Sequence, residues 1–190
     1  MIKLKIVIGI TGASGAIYAN DLISKLEKYD EQLEQLAVVF TDQALLVWKH
    51  ELGNIDPGTS KFKQYPNDSF FAPFASGSGN FDVMIICPCS MGTIGRISSG
   101  IANDLIARTA DVMLKERRKL IIVPRETPYN TIHLKNMLEL SQAGAIICPA
   151  SPSFYNNPQE IGELVGTVTE RILKLAGLKI ESFEWMNSKA

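Results

Sequence analysis

Residues 5–20, KIVIGITGASGAIYAN, decide how the chain begins to fold. An apolar run ends in three glycines spaced three apart, with Thr11 and Ser14 between them. This pattern indicates a strand that turns sharply into a helix, because glycine permits the tight turn and exposes backbone amides. The positive end of the new helix would favour an anion or a polar ring edge. For this turn taken alone, a second interpretation is equally good: the glycines only permit close packing, and Ser14 only caps the helix.

Short apolar runs alternate with helix-patterned segments along the rest of the chain. The runs are five to seven residues long, rich in Val and Ile and apolar throughout, at 4–10, 36–40, 83–88, 120–124 and 145–150. Such runs are typical of strands buried on both faces. Helical patterns occupy 15–28, 42–52, 91–118, 130–142 and 158–176, and the third should break near residues 98–100. The alternation predicts an open, doubly wound α/β fold with a mostly parallel sheet and helices on both faces.

The length of 190 residues suits one domain, predicted at residues 1–177. Residues 53–82 contain three prolines and are too long for a simple connection, so they are predicted to be a long loop excursion. Residues 178–190 form a polar tail that carries Trp185. The loop and the tail are both candidates for a lid over a binding site.

Composition excludes several classes of protein. The formal net charge of -1 disfavours nucleic-acid binding, and no apolar run approaches the ~18 residues of a membrane span. The amino-terminal run leads directly into the glycine turn, so it is predicted to be a first strand and not a signal peptide. His50 and His133 have no companions at ligand spacing, so no metal site is expected. Cys87, Cys89 and Cys148 are interpreted as buried free thiols, which indicates a cytoplasmic protein.

Ligands in an open α/β sheet bind beyond the carboxyl ends of the strands. After the second strand, Thr41 is a candidate helix N-cap with Asp42 in the first turn. After the third strand, residues 87–95 read CPCSMGTIG and offer hydroxyls and exposed amides at another helix start. Two such loops on neighbouring strands predict a ligand that has both a phosphate and a polar heterocycle.

Charged and aromatic side chains near the other strand ends are individually ambiguous. Arg125 and Glu126 lie between two prolines that stiffen the loop, which suits a preorganised site. A charged pair in such a position is, however, more often a solvated ion pair in a surface turn. Tyr155 either packs against its neighbours or directs a phenol at a ligand. Four more charged residues would by themselves be assigned to solvated surfaces: Glu51, Arg108, Lys115 and Arg171.

Six blocks, taken in order, resemble the UbiX-like flavin prenyltransferase family: TGASGA, CPCSMGT, ADVMLKERR, VPRETP, HLKNMLELSQAGA and PSFYNNPQ. The resemblance extends over about residues 4–177. It implies a Rossmann-like three-layer sandwich that binds FMN and joins the dimethylallyl group of dimethylallyl phosphate to N5 and C6 of reduced FMN. The prenylated flavin would serve a UbiD-type decarboxylase, for example in ubiquinone biosynthesis. Members of the family typically form dodecamers with sites near subunit interfaces.

The resemblance also assigns residues. The implied FMN-binding set is Gly12, Ala13, Ser14, Thr41, Ser90, Met91, Gly92, Thr93, Arg108 and Arg125. The implied cradle for the phosphate of dimethylallyl phosphate is Lys115, Arg125, Tyr155 and Arg171. The implied catalytic residues are Ser14, Glu51, Lys115 and Glu126. Trp185 resembles a carboxyl-terminal tryptophan of the family and is a possible lid residue.

Breaking an allylic C–O bond would leave an allyl cation and a phosphate dianion. The chain has no aspartate-rich motif for Mg²⁺, so Lys115, Arg125 and Arg171 are expected to supply the positive charge, with Tyr155 donating a hydrogen bond. Glu126 among three cations would ionise easily, so a role as an acid requires the phosphate itself to raise its pKa.

Three alternatives to a prenyltransferase are less consistent with the residues. Decarboxylases of peptidyl or phosphopantothenoyl cysteine depend on a histidine and a PASANT-like loop, where this chain has AIYAN and CPCSMGT. A simple FMN carrier would not need a second phosphate cradle. An NAD-dependent enzyme is disfavoured because the glycine spacing differs from G-x-G-x-x-G.

Overall fold

The computed structural model describes residues 3–56 and 62–182. The elements within them are, in order, β1 (Leu4–Ile10), α1 (Ala16–Lys28), β2 (Leu33–Phe40), α2 (Asp42–Leu52), β3 (Lys63–Pro66), β4 (Val83–Cys89), α3 (Met91–Ser98), α4 (Leu105–Lys115), β5 (Lys119–Pro124), α5 (Thr131–Gln142), β6 (Ile146–Ile147) and α6 (Ile161–Ala176). Short 3-10 turns lie at Asp30–Gln32, Pro73–Ala75 and Gly77–Gly79.

The strands form a parallel sheet in the order β3-β2-β1-β4-β5-β6. Strand β1 is central, pairing with β2 on one side and with β4 on the other. The strand order reverses between β1 and β4, which is where doubly wound sheets bind ligands. Because the strands are parallel, the loops that follow β1, β2, β4 and β5 all begin at the same edge of the sheet, which we call the carboxyl edge.

Two hydrophobic cores lie on opposite faces of the sheet. Helices α1, α2 and α6 cover one face, where Leu22, Trp48 and Ile172 pack against strand residues such as Ile8. Helices α3, α4 and α5 cover the other face, with Ile94, Ile106 and Leu140 among the buried residues. Each fully buried Leu or Ile stabilises the fold by about 1.5–3 kcal/mol. The predicted three-layer α/β sandwich is confirmed.

Three side chains cap the starts of helices α2, α3 and α4. Thr41 Oγ1 accepts a hydrogen bond from the Ala44 amide (3.1 Å), so the predicted N-cap of α2 is confirmed. Ser90 caps α3 and Asp104 caps α4 in the same way. These caps fix the direction in which each helix leaves the carboxyl edge.

Several predicted boundaries are wrong by a few residues. The predicted break in the helical pattern at 91–118 is confirmed, because α3 ends at residue 98, α4 begins at residue 105 and Gly100 between them adopts a φ of 70°. Helix α4 ends at residue 115 and not at 118. Helix α6 begins at residue 161 and not at 158. Strand β6 is only two residues long, because beyond it the chain follows β5 through single bonds such as Cys148 N–H to the Ile122 carbonyl (2.8 Å).

The long excursion predicted over 53–82 contains regular structure in its described part, which the sequence did not indicate. The edge strand β3 pairs with β2, and the buried Phe74 packs in the second core against both Tyr65 and Phe81. Strand β3 reads KQYP and is largely exposed, so it lacks the apolar run that identified the other strands. Residues 57–61 and Trp185 lie outside the described residues.

No helix in the described parts of the chain is long and apolar enough to cross a membrane.

Candidate functional site

The start of helix α1 is capped by a carboxylate from another helix. Glu51, at the end of α2, accepts hydrogen bonds from the amides of Gly15 (2.9 and 3.1 Å) and Ala16 (2.8 Å). The N-cap residue is Gly15, with a φ of 109°, so the interpretation that Ser14 caps α1 is wrong. The anion expected at this helix start is therefore a side chain of the protein, and an external phosphate would have to displace it.

The ionisation of Glu51 depends on its neighbours. Burial alone would raise its pKa, but hydrogen bonds from the Ser14 side chain and from the two amides, together with the charge of Arg125, outweigh burial and lower the pKa. Glu51 is therefore an anion at neutral pH. The fold thus brings together three residues that the family resemblance assigned to the site: Ser14, Glu51 and Arg125.

Arg125 connects the end of β5 to the loop after β1. Its Nε donates a hydrogen bond to the Ser14 carbonyl (2.9 Å), and the side chain is half-buried. Tyr18 lies close by, where burial and the Cys87 thiol raise its pKa against the opposing charge of Arg125. Tyr18 was not predicted from the sequence, because nothing in the pattern around it separates it from a packing aromatic.

Thr11 joins the two glycine-containing loops. Its hydroxyl donates to the Pro88 carbonyl (2.9 Å) and accepts from the Ser90 amide (2.8 Å). The loop after β1 and the loop after β4 therefore form one continuous wall at the point where the strand order reverses. The sequence-based prediction that these loops act together is consistent with this contact.

The glycines of this wall have different roles. A Cβ on Gly12 would lie 2.5 Å from Gln43 Cβ, so Gly12 is needed for the approach of α2. A Cβ on Gly92 would meet nothing within 4 Å. Gly92 is exposed at the start of α3 and leaves open space beside the wall, which is room that a ligand can occupy.

A cavity of about 940 Å³ lies beyond the ends of β2 and β3. Thr41 is the residue of the implied FMN-binding set that lines it, together with Arg96, Asn103 and Asp104 from α3 and the turn that follows. Arg96 also donates to Thr93 Oγ1 (3.3 Å). Sequence reasoning missed Arg96, because a lone arginine in a helical pattern is indistinguishable from a solvated one.

Arg171 and Tyr155 lie near the other end of the carboxyl edge. Arg171 lines a cavity of about 160 Å³ with Ser153 and Asn156, the neighbours of Tyr155 in the loop before α6. Burial raises the pKa of the Cys148 thiol, and the charge of Arg171 partly opposes this. Cys148 directly follows β6, which pairs with β5, the strand that Arg125 follows. Because Arg171 is close enough to Cys148 for its charge to act on the thiol, Arg171 lies near the strands from which Arg125 extends.

Glu126 is exposed, and its carboxylate accepts a hydrogen bond from the Thr127 amide within its own turn (3.0 Å).

Two of the implied site residues lie away from the others. Lys115 ends α4 and pairs with Glu116 just before β5 begins, whereas Arg125 follows the end of that strand. Six residues of strand span about 20 Å, so Lys115 and Arg125 lie at opposite edges of the sheet. Arg108 lies on α4, where it contacts the Ala75 carbonyl (3.1 Å) and Asp111 (3.0 Å). One chain therefore does not bring together the four residues of the cradle that the family resemblance implied.

The cysteines and the acidic residues that the structure describes suggest no metal centre. Cys87 and Cys89 are buried free thiols, as predicted, and burial raises the pKa of both. Cys148 is only partly buried. Within residues 3–56 and 62–182, no group of three or more His, Cys, Asp or Glu side chains is placed to hold a metal ion.

Comparison with known proteins identifies the relatives of this chain. The family model described as Flavoprotein matches residues 1–173. Flavin prenyltransferase UbiX of Methanocaldococcus jannaschii is 42% identical over 186 residues, which cover 95% of this chain and 97% of that protein.

Solved structures show the same relationship. AnUbiX (PadA1), crystallised in complex with FMN and dimethylallyl pyrophosphate, has a TM-score of 0.87 and 38% identity, covering 96% of this chain and 100% of its own. A dodecameric FMN-dependent Ubix-like decarboxylase from Escherichia coli O157:H7 has a TM-score of 0.88 and 35% identity, covering 97% and 100%. The peptidyl-cysteine decarboxylase EpiD, at 19% identity and a TM-score of 0.60 over 92% of this chain and 99% of its own, shares the fold alone. The chain therefore belongs to the Flavoprotein family, among its UbiX flavin prenyltransferases.

Proposed function

We propose that this protein is a flavin prenyltransferase that binds FMN at the carboxyl edge and transfers a dimethylallyl group to it from dimethylallyl phosphate. The observation that carries the proposal is the meeting of Ser14, Glu51 and Arg125 beside the wall formed by the loops after β1 and β4. The identity to UbiX flavin prenyltransferases over nearly the whole chain supports it.

The wall has features that fit a flavin nucleotide. Gly92 borders open space, and the hydroxyl of Ser90 and the amides at the start of α3 are available beside it. Thr41 lines the neighbouring cavity. The residues that would hold FMN are Gly12, Ala13, Ser14, Thr41, Ser90, Met91, Gly92, Thr93 and Arg125. When bound in its reduced form, the flavin supplies the nucleophilic N5 and C6 atoms.

Arg125 and Arg171 would bind the phosphate of dimethylallyl phosphate, with Tyr155 donating a further hydrogen bond. Both arginines are permanent cations, and their charge stabilises the phosphate dianion that leaves as the allylic C–O bond breaks. We infer no metal requirement for this step. A site closed against water would prevent the allyl cation from being lost to hydrolysis.

Lys115 and Arg108 would reach this site from a neighbouring copy of the chain. Lys115 lies apart from Arg125 within one chain, and Arg108 contacts the Ala75 carbonyl away from the loops after β1 and β4. An oligomer would therefore bring Lys115 to the phosphate and Arg108 to the flavin. The dodecameric state of the Escherichia coli relative supports an assembly of this kind.

Glu51 and Glu126 would have different roles. Glu51 is held as an anion by two amides and by the Ser14 hydroxyl, so it would fix the direction of that hydroxyl beside the flavin. Glu126 would lie beside the leaving phosphate and act as an acid towards it. Full turnover in a Glu126→Gln variant would disprove that role.

The product would be the prenylated flavin cofactor of a UbiD-type decarboxylase, made in the cytoplasm. Ubiquinone biosynthesis is one pathway that uses such a decarboxylase.

The experiment that tests the function is direct. The protein is mixed without oxygen with reduced FMN and dimethylallyl phosphate, with and without EDTA, and the flavin is analysed by mass spectrometry. We expect a flavin that has gained one prenyl unit in both samples. Bound FMN without this adduct would indicate a carrier and contradict the proposal.

A further inference from the structure

Arg96 makes two sets of contacts that differ in kind. Its Nη1 pairs with Asp104 and donates to Asn103 Oδ1 (3.0 Å), which holds the guanidinium against the turn between α3 and α4. Its Nη2 donates to Thr93 Oγ1 (3.3 Å), one helical turn back towards the loop after β4. The guanidinium is thereby fixed in position, with one donor directed at the wall.

The hydroxyl of Thr93 has only one direction in which to donate. A guanidinium has no acceptor, so Thr93 Oγ1 must accept from Arg96. Thr93 is 3% exposed, and the acceptor that the described residues place near its hydroxyl is Ser90 Oγ at 3.1 Å. A buried hydroxyl donates wherever an acceptor is available, so the Thr93 proton is directed at Ser90.

The hydroxyl of Ser90 is then left as a donor. Ser90 Oγ accepts from the Thr93 amide (3.3 Å) as well as from the Thr93 hydroxyl, which uses both of its lone pairs. Its own proton must therefore go to a group outside this chain of hydrogen bonds. The positive charge of Arg96, the first donor in this series of hydrogen bonds, strengthens each bond in turn.

We propose that Arg96 is a positioning residue that acts through Thr93 to make Ser90 a hydrogen-bond donor to an acceptor oxygen or nitrogen of the bound flavin nucleotide. The inference rests on the proposed function, because it takes the loop after β4 as part of the flavin site. Arg96 itself does not need to touch the flavin, and its effect passes through two hydroxyl groups.

A double-mutant cycle in FMN affinity separates this role from a merely structural one. Removal of the Ser90 hydroxyl in Ser90→Ala should weaken FMN binding about 10-fold, the size of one lost hydrogen bond. Arg96→Met should weaken it about 5-fold, and the double variant about 10-fold instead of the roughly 50-fold expected for independent effects. Affinity is measured by quenching of FMN fluorescence, and a melting curve for each variant shows that it is folded.

Three further variants serve as controls. Thr93→Val breaks the chain of hydrogen bonds and should weaken binding as much as Arg96→Met does, whereas Thr93→Ser keeps the hydroxyl and should retain the affinity. This pair replaces Arg96→Met if that variant does not fold. Lys135→Met removes an exposed cation from α5 and should leave FMN affinity unchanged.

The outcomes are distinguishable. If the wild-type protein binds FMN but the losses of FMN affinity from Ser90→Ala and Arg96→Met multiply, Arg96 only holds α3 against α4. The relay, by which we mean the hydrogen bonds from Arg96 through Thr93 to Ser90, is then wrong. If the wild-type protein does not bind FMN, the proposed function fails and the relay fails with it. Non-multiplicative losses, with affinity retained in Thr93→Ser, establish the relay.

Discussion

The carboxyl edge and helix α4 carry the two halves of the charge that the proposed reaction needs, and they differ in how they are assembled. At the carboxyl edge, Ser14, Glu51 and Arg125 come from three separate segments and meet within one chain. On α4, Arg108 and Lys115 contact acidic neighbours on their own helix or just beyond it. We therefore propose that one chain assembles most of the flavin half of the site, whereas Arg108 of the flavin half and Lys115 of the phosphate half come from a neighbouring copy.

The largest expected effect on turnover comes from replacing Arg125 at the carboxyl edge. Arg125→Met removes both the contact with the Ser14 carbonyl and the charge offered to the phosphate. Loss of one preorganised donor typically lowers turnover about 100- to 1000-fold. The initial rate of prenylated flavin formation measures this, and Lys135→Met is the matched control. A loss smaller than about 10-fold would contradict a central role for Arg125.

A change on α4 should affect turnover and leave flavin binding intact. Lys115→Met is expected to lower turnover about 100-fold, because one cation facing the leaving phosphate is lost. FMN affinity should stay within about twofold of wild type, since Lys115 is remote from the wall formed by the loops after β1 and β4. Parallel measurement of both quantities checks this. A large loss of FMN affinity would place Lys115 in the flavin half of the site.

Replacement of Glu51 should alter the dependence of stability on pH. Its pKa is lowered by folding, so its stabilising contribution is complete above the ordinary value of 4.5 and is lost as the pH falls through the lowered value. Glu51→Gln should cost about 0.5–2 kcal/mol at pH 7, as for loss of a helix cap, and the difference from wild type should shrink towards pH 3. Urea unfolding at several pH values measures this. Glu139→Gln, on the exposed side of α5, should show no such trend, and an equally flat profile for Glu51→Gln would contradict the capping role.

Two glycines of the carboxyl edge should respond in opposite ways to alanine. Gly15→Ala should destabilise the fold by about 1–2 kcal/mol, because φ is 109° and the new Cβ would lie 3.0 Å from Tyr18. Gly92→Ala should stabilise α3 by up to about 1 kcal/mol through helix propensity, yet weaken FMN binding by filling the open space. Thermal unfolding and FMN titration check the pair. Unchanged FMN affinity in Gly92→Ala would show that the flavin lies elsewhere.

The sequence was informative wherever a pattern is local. Strands β1, β2, β4 and β5 were predicted because buried parallel strands are continuous apolar runs, and Thr41 was predicted as a cap because capping is a contact between near neighbours in sequence. Strand β3 was missed because an exposed edge strand has no such run.

Contacts between segments that are distant in sequence could not be predicted from local sequence patterns. Glu51 contacts Gly15 across 36 residues, and no feature of either segment indicates the other. Lys115 and Arg125 are close in sequence, but the strand between them carries them to opposite edges of the sheet. The family resemblance implied the site residues, and the structure added how Ser14, Glu51 and Arg125 meet and that Lys115 lies at the opposite edge of the sheet.

Mixing two inactive variants tests the divided site most directly. Lys115→Met and Arg171→Met each remove one side of the phosphate cradle, and co-expression in equal amounts produces assemblies that contain both kinds of copy. If each site takes Lys115 from one copy and Arg171 from another, about a quarter of the sites regain both cations, and prenylation should recover to about a quarter of the wild-type rate. Activity no higher than that of either variant alone would show that Lys115 and Arg171 act within the same chain, and would contradict the account.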